Sequence, residues 1–224
     1  MNIIIHPTYF PTIAHFVAIA NAQVVTFEKH DNFQKQSYRN RTKIYGANGK
    51  LQLSVPVTHT KNGEKIKYTD TQIKNVENWQ TQHWRSIVSA YKSSPFFEYY
   101  QDDIKPIFDT PKTNLFELNI EIFKVICECI ELDININYTT EFIKKYNLKD
   151  IFDGRHLTQS KKETHIPLTS YTQVFGDKYG YLNNLSILDL LFNEGPNTLN
   201  YLEEQNIYLK MENELLSEYK RFLA

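Results

Sequence analysis

Ile3-Ile4-Ile5 is an uninterrupted apolar run stopped by His6-Pro7, the pattern of a short buried strand whose carboxyl end opens into a turn. Thr12 then precedes Ile13, Phe16, Val17 and Ala20, apolar positions at helical spacing, so a helix starting at Ile13 and capped by Thr12 is predicted. Gln23 to Phe27 returns to strand composition. Strand, short helix and strand in this order predict a βαβ unit.

Residues Glu28 to Tyr45 are polar and aromatic, and Gly46-Ala47-Asn48-Gly49 is a turn signal. Leu51, Leu53, Val55 and Val57 alternate with Gln52, Ser54 and Pro56, which predicts a half-buried strand in which the proline marks an edge or an end. Lys61-Asn62-Gly63-Glu64 is read as a second turn, before a strand ending near Ile73.

From Asn78 to Lys92 the period changes to that of a helix, with Trp79, His83, Ile87 and Ala90 or Tyr91 on one face. Ser94-Pro95 offers a cap and a first-turn proline for a second short helix carrying Phe96, Phe97, Tyr99 and Tyr100. Leu115 to Leu132 is the longest periodic stretch, with Leu115, Leu118, Ile122, Val125, Ile126 and Cys129 on a broad apolar face and Asn119 as a polar anchor beside it. Ile134 to Tyr138 alternates like a strand, whereas Lys149 to Pro167 is polar and aperiodic, a long loop of the kind that carries function or moves. Ser186 caps a helix through Phe192, with Asp189 placed for the reciprocal capping contact, and Gly195-Pro196 stops it. A further helix through Leu199 to Leu202 and an exposed helical tail over Glu212 to Arg221 complete the pattern. The fold class is therefore α/β: an N-terminal βαβ-like unit with a small, mostly parallel or mixed sheet, then a helix-rich half from about residue 78, read as one domain over residues 1–224.

Composition narrows the function classes. Twenty-five Lys and Arg against 26 Asp and Glu give a formal net charge of -1, so no global field attracts nucleic acid and any basic patch is local. No stretch reaches the roughly 18 apolar residues of a membrane span and no signal peptide is evident, from which a cytoplasmic protein is expected. Cys127 and Cys129 lie two apart in a helix, too divergent for a bridge, and at least one is read as buried and structural. No metal cluster, glycine-rich phosphate loop or Ser-His-Asp order is present, so neither metal nor cofactor is assigned.

The block Phe33-Gln34-Lys35-Gln36-Ser37-Tyr38-Arg39-Asn40-Arg41 concentrates a lysine, two arginines and several amides. Lys35, Arg39 and Arg41 suit phosphate or carboxylate, the arginines through paired planar hydrogen bonds and the lysine as a mobile charge. The competing reading is a solvated turn laced with ion pairs. His6 follows the first strand, at the edge where α/β folds bind ligands, and serves either as a proton-transfer group or as a hydrogen-bonding anchor. For His83, on an aromatic helix face, a satisfied core histidine and a group lining the same cavity as the basic block both stand.

Tyr9-Phe10-Pro11, the block ending Arg39-Asn40-Arg41, Leu53-Ser54-Val55-Pro56-Val57, Trp79 with His83-Trp84-Arg85-Ser86, Tyr91 through Phe97, and Asn184 through Pro196 together resemble the WbqC-like family, which occurs with surface-polysaccharide biosynthesis genes. The resemblance implies a transferase in O-antigen or capsule assembly that moves glycine or another acyl group onto a nucleotide-linked amino sugar. It implies His83 as base, Lys35 or Arg39 as electrostatic support, and Tyr9, Tyr38, Arg39, Asn40, Arg41 and Asn184 as substrate-binding residues. Many relatives carry Gln-Pro where this chain has His6-Pro7, which argues against a universal catalytic role for His6. The competing class is a non-catalytic binder of sugar nucleotides or other anionic metabolites. The expected partner is thus an anionic small molecule, and the oligomeric state is left open.

Overall fold

The computed structural model describes residues 1–58, 64–76, 78–146, 151–160 and 166–205. In chain order the elements are β1 (Asn2–Ile5), α1 (Ile13–Ala20), β2 (Val24–Phe27), β3 (Arg41–Gly46), β4 (Gly49–Ser54), α2 (Trp79–Tyr91), α3 (Phe97–Ile104), α4 (Pro106–Asp109), α5 (Leu115–Cys129), β5 (Asn135–Tyr138), β6 (Ile151–Asp153), α6 (Gly176–Tyr179), α7 (Ile187–Glu194) and α8 (Thr198–Glu204). The residues proposed as a turn at Lys61 to Gly63 and as a helical tail over Glu212 to Arg221 lie outside the described set.

Four strands form a parallel sheet in the order β5-β2-β1-β6. β1 is covered on both faces, which is why Ile3, Ile4 and Ile5 form an unbroken apolar run, whereas β2 buries Val25 and Phe27 on one face and leaves Val24 and Thr26 half-buried. Beside β1, the second strand of this sheet lies on one side and the fourth on the other, so the winding reverses between β1 and β6. That reversal opens a crevice at the carboxyl edge, the place where open α/β sheets take ligands.

The βαβ unit forms as the sequence implies. Thr12 Oγ1 accepts the His15 backbone N–H and caps α1, which is buried along nearly its whole length beneath the C-terminal helices. The second half is helix-rich. Trp79, His83, Ile87, Ala90 and Tyr91 are the buried residues of α2, the face that the spacing predicts. On α5 the inward residues include Leu115, Leu118, Ile122 and Ile126, but Phe123 and Cys127 are buried where Val125 and Cys129 are only partly so. Burial pushes the Cys127 and Cys129 thiols up to about 12, which keeps both protonated.

Several local expectations are corrected. Arg41 to Gly46 is a strand, paired antiparallel with β4, because the Gly46-Gly49 turn closes a hairpin whose first arm is too polar to stand out. β4 stops at Ser54, immediately before Val55-Pro56, and an isolated bridge joins Val57 to Ile73, so among the described residues no strand ends near Ile73. Ser94 does not cap α3; its hydroxyl donates back to the Tyr91 carbonyl and the helix starts at Phe97. Ser186 caps α7 as expected through the Leu188 N–H, but the Asp189 carboxylate turns inward and accepts from Tyr91 Oη, Tyr171 Oη and Gln173 Nε2. Gly195 does end α7 with positive φ, at 54°. Ile151 to Asp153, inside the predicted loop, is the fourth sheet strand.

Candidate functional site

Each strand of the sheet ends in a polar residue that turns toward its neighbours. His6 follows β1, Glu28 follows β2, Thr139 follows β5, and Asp153, Arg155 and His156 stand at or just after the end of β6. Above them lies a cavity of about 380 Å³ lined by His6, Asp31, Arg39, Lys144, Arg155 and His156 among others. Among the described residues its walls carry the cations Arg39, Lys144, Lys145 and Arg155 against the carboxylates of Asp31 and Asp153.

Arg39 forms the floor. Its guanidinium is fully buried, lies 5.3 Å from the centroid of the Tyr68 ring, and sends Nη2 to Asp31 Oδ2 and His6 Nε2, each at 2.7 Å. Nε and Nη1 have no hydrogen-bond partner among the described residues. A buried cation with two open donors is a costly arrangement without a ligand, since unmade buried hydrogen bonds cost about 1–3 kcal/mol each. Burial pushes the Asp31 carboxyl upward, but hydrogen bonding from His6 and the charge of Arg39 outweigh it and hold the group below its ordinary value.

The two histidines of the crevice are held differently. Burial, reinforced by Arg39, lowers His6 to about 4. His6 is therefore neutral at pH 7; its Nε2 stands between Arg39 Nη2 at 2.7 Å, which only donates, and Asp31 Oδ2 at 3.0 Å, which only accepts, so either tautomer finds a partner there, while Nδ1 has none among the described residues. His156 Nδ1 lies 2.9 Å from the Asp153 carbonyl oxygen, which can only accept, so that nitrogen carries the proton and Nε2 keeps a bare lone pair. Nε2 is buried and also without a partner among the described residues, and burial lowers the pKa of the ring.

Arg155 acts as a clamp. It donates to Asp153 through Nε and Nη2, to the Ile143 and Lys144 carbonyls, and at 3.4 Å to Glu28 Oε2. Glu28, fully buried, also accepts from the His30 N–H and Thr139 Oγ1. The ends of β2, β5 and β6 are thus tied into one polar network.

The basic block divides. Arg39 and His6 share the crevice, whereas Lys35, Asn40 and Arg41 line a different recess on the other side of the segment. Tyr38 and Tyr9 hold the segment in place: the Tyr38 N–H donates to the Thr158 carbonyl and its own carbonyl accepts the Tyr9 N–H. Asn119, the anchor predicted on α5, donates from Nδ2 to the Arg39 carbonyl and to Tyr68 Oη. His83 is not among the residues lining the crevice. Its Nδ1 accepts from Tyr9 Oη at 2.8 Å, its ring also bonds the backbone at Ser54, and burial lowers it to about 4. Asn184, buried with φ at 54°, accepts the Ala14 N–H on its Oδ1 and helps cap α1.

The residues that the pattern of the sequence left unmarked are Asp31, Asp153, Arg155 and His156. The last three follow the apolar pair Ile151-Phe152 within a stretch otherwise free of periodicity, and that pair was the available signal of a strand end.

Fold and site define an α/β protein with a basic, histidine-bearing crevice at the carboxyl edge of a parallel sheet. The WbqC-like protein family model matches residues 6–166, and the chain belongs to that family. The matched span begins at His6 and contains every crevice residue named above. The chain is also similar to Uncharacterized protein Rv1507c of Mycobacterium tuberculosis (strain ATCC 25618 / H37Rv), at 25% identity over 226 residues, covering 89% of this chain and 96% of that protein. No solved structure matches the chain. Among the described residues no helix is long and apolar enough to cross a membrane.

Proposed function

We propose that this protein is a transferase of cell-surface polysaccharide assembly that moves an activated acyl group, such as glycyl, onto the amine of a nucleotide-linked amino sugar held in the crevice. The observation that carries the reading is the pairing of a bare His156 Nε2 with the open donors of Arg39 in one cavity. Acyl transfer needs these two characters together. One group takes the proton from the attacking amine as the nitrogen–carbon bond forms, and donors facing the carbonyl stabilise the negative oxygen until it collapses and expels the leaving group. His156 Nε2 serves as the base. Arg39, through Nε and Nη1, serves the oxygen, His6, in contact with both Arg39 and Asp31, positions the guanidinium, and Lys144 and Lys145 at the rim attract the phosphates. His83, with Nδ1 occupied by Tyr9 and its ring held at Ser54, is assigned to holding the core.

The test is to incubate the protein with a uridine-diphosphate amino sugar and a set of acyl donors, following the product by mass spectrometry and sugar-nucleotide binding by calorimetry. Acylated sugar formed by the wild type, and lost in His156→Asn while binding persists, is the expected result. Saturable binding without conversion across the donor set would establish a binding protein instead, and absence of any binding would remove the crevice from consideration.

A further inference from the structure

The recess on the opposite side of the basic block has a volume of about 590 Å³ and among the described residues shares no lining residue with the crevice. Phe33, Val55, Pro56 and Val57 make an apolar wall, and among the described residues Lys35, Arg41 and Lys74 bring three cations to it and no carboxylate lines it. Among the described residues none of these three is ion-paired. This contrasts with the crevice, where Arg39 and Arg155 each meet a carboxylate. Like charges gathered around one concavity repel, and an anion held between them converts that repulsion to attraction.

Two buried polar atoms sharpen the chemistry. Asn40 is only 8% exposed, and its Nδ2 donates to the Val55 carbonyl at 2.9 Å, which orients the amide and leaves Oδ1 as an acceptor with no partner among the described residues. Arg41 Nε is likewise buried without a partner there. The Asn40 carbonyl accepts the Val55 N–H, so the segment is pinned to the strand end and these side chains are held in place. The recess thus offers cations for an anion, an acceptor for a hydroxyl or amine, and an apolar wall for a face of C–H bonds.

We infer that this recess is a second ligand site, independent of the crevice, that takes a sugar phosphate: the phosphate on Arg41, Lys35 and Lys74, a sugar hydroxyl on Asn40 Oδ1, and the ring against Phe33 and Pro56. The 33–41 segment is then a partition with one anion-binding group on each side, Arg39 toward the crevice and Arg41 toward the recess. Its size falls in the ordinary range for small-molecule pockets.

The experiment is calorimetric titration of the full chain with glucose 6-phosphate, inorganic phosphate and glucose, repeated on Arg41→Gln, on the exposed-site variant Lys35→Gln, on Asn40→Asp, and on the remote control Lys92→Gln. Glucose 6-phosphate is expected to bind at least tenfold more tightly than inorganic phosphate, and glucose not at all. Arg41→Gln is expected to weaken the sugar phosphate at least tenfold and Lys35→Gln several-fold. Asn40→Asp, which sets a carboxylate where the acceptor stood, is expected to weaken it further, and Lys92→Gln to leave it unchanged. Equal affinity for glucose 6-phosphate and inorganic phosphate, indifference to both Lys35→Gln and Arg41→Gln, or no binding of either phosphate would overturn the inference. Binding of the uridine-diphosphate amino sugar in the crevice, measured on Arg41→Gln, distinguishes the two sites: its retention there keeps them separate, and its absence from the wild type leaves the recess result standing alone.

Discussion

Arg39 Nη2 and Asp31 Oδ2 meet at 2.7 Å, with the arginine side chain wholly inside the protein and the aspartate side chain 14% exposed. The pair is asymmetric. The carboxylate has a partial route to water, but the guanidinium has none, so the charge that depends most on its partner is the arginine.

Removing the carboxylate in Asp31→Ala therefore strands a buried cation, and the cost is expected to be about 3 kcal/mol, in the range for breaking a buried pair. Arg39→Ala also loses the cation that anchors the crevice, so sugar-nucleotide binding should fall at least tenfold while Asp31 regains water. Urea unfolding of both variants checks the order: Asp31→Ala as stable as the wild type would mean that the pair contributes nothing.

His6 and His83 are lowered to about 4 and His15 to about 3, from an ordinary value of 6.5, each mainly by burial. Between those limits the unfolded chain binds protons that the native chain does not, so stability is complete above about pH 6.5 and declines as pH falls toward 4. Each ring contributes on the order of 3–5 kcal/mol over the full window. Below that, Asp31 and Asp153, both held under their ordinary values, lose their ion pairs in turn. Chemical denaturation at pH 7.5 and pH 5 should show a clear fall in the midpoint at the lower pH; equal midpoints would mean that the rings titrate normally in the native state.

His156 and His83 are expected to separate in a mutant comparison. His156→Asn keeps a donor for the Asp153 carbonyl and removes only the Nε2 lone pair, so turnover should drop about 10²–10⁴-fold with little change in stability. His83→Ala leaves the buried Tyr9 hydroxyl without its acceptor and opens a void, so the loss there should be in stability, on the order of 2–4 kcal/mol. The reverse pattern, with His83→Ala stable and inactive, would return the proton-transfer role to His83.

Asn119 connects α5 to the basic block. In Asn119→Leu the Arg39 carbonyl and the Tyr68 hydroxyl both lose a donor inside the core, at a cost of about 1–3 kcal/mol. Because Arg39 is then less firmly placed, crevice binding should weaken along with thermal stability. A stable variant with normal binding would show that packing alone holds the segment.

Gly195 combines positive φ with close packing: a Cβ there would stand 2.4 Å from Phe96 Cγ. Gly195→Ala must move the Phe96 ring or the end of α7, and a loss of about 3 kcal/mol is expected in equilibrium unfolding. Made in a Phe96→Ala background, the same glycine change should cost less than it does in the wild type, because the clash is gone and only the backbone strain is added.

Much of the fold was legible because its signals are local. The Ile3 to Ile5 run, the Thr12 cap, the period of Trp79, His83 and Ile87, and the Gly195-Pro196 stop each place an element without knowledge of the rest of the chain. β3 and β6 were not legible. Arg41 to Gly46 is a strand because β4 folds back on it, and Ile151 to Asp153 is one because a vacant edge of β1 receives it; neither has a periodic pattern long enough to announce itself.

The site divides in the same way. The sequence by itself determined that a cation-rich block lies between the βαβ unit and a strand, that His6 stands at a strand's carboxyl end, and that Asn119 is a polar intrusion in an apolar helix face. Tertiary structure decided which of those groups meet. Arg39 turns toward His6 and Asp31 while Lys35 and Arg41 turn the other way, and His83 is consumed by Tyr9 and Ser54. Arg155 and His156 arrive at the crevice from more than a hundred residues away. Side-chain direction at an irregular segment is set by long-range hydrogen bonds, here from Thr158, Asn119 and Val55, and no local spacing encodes them.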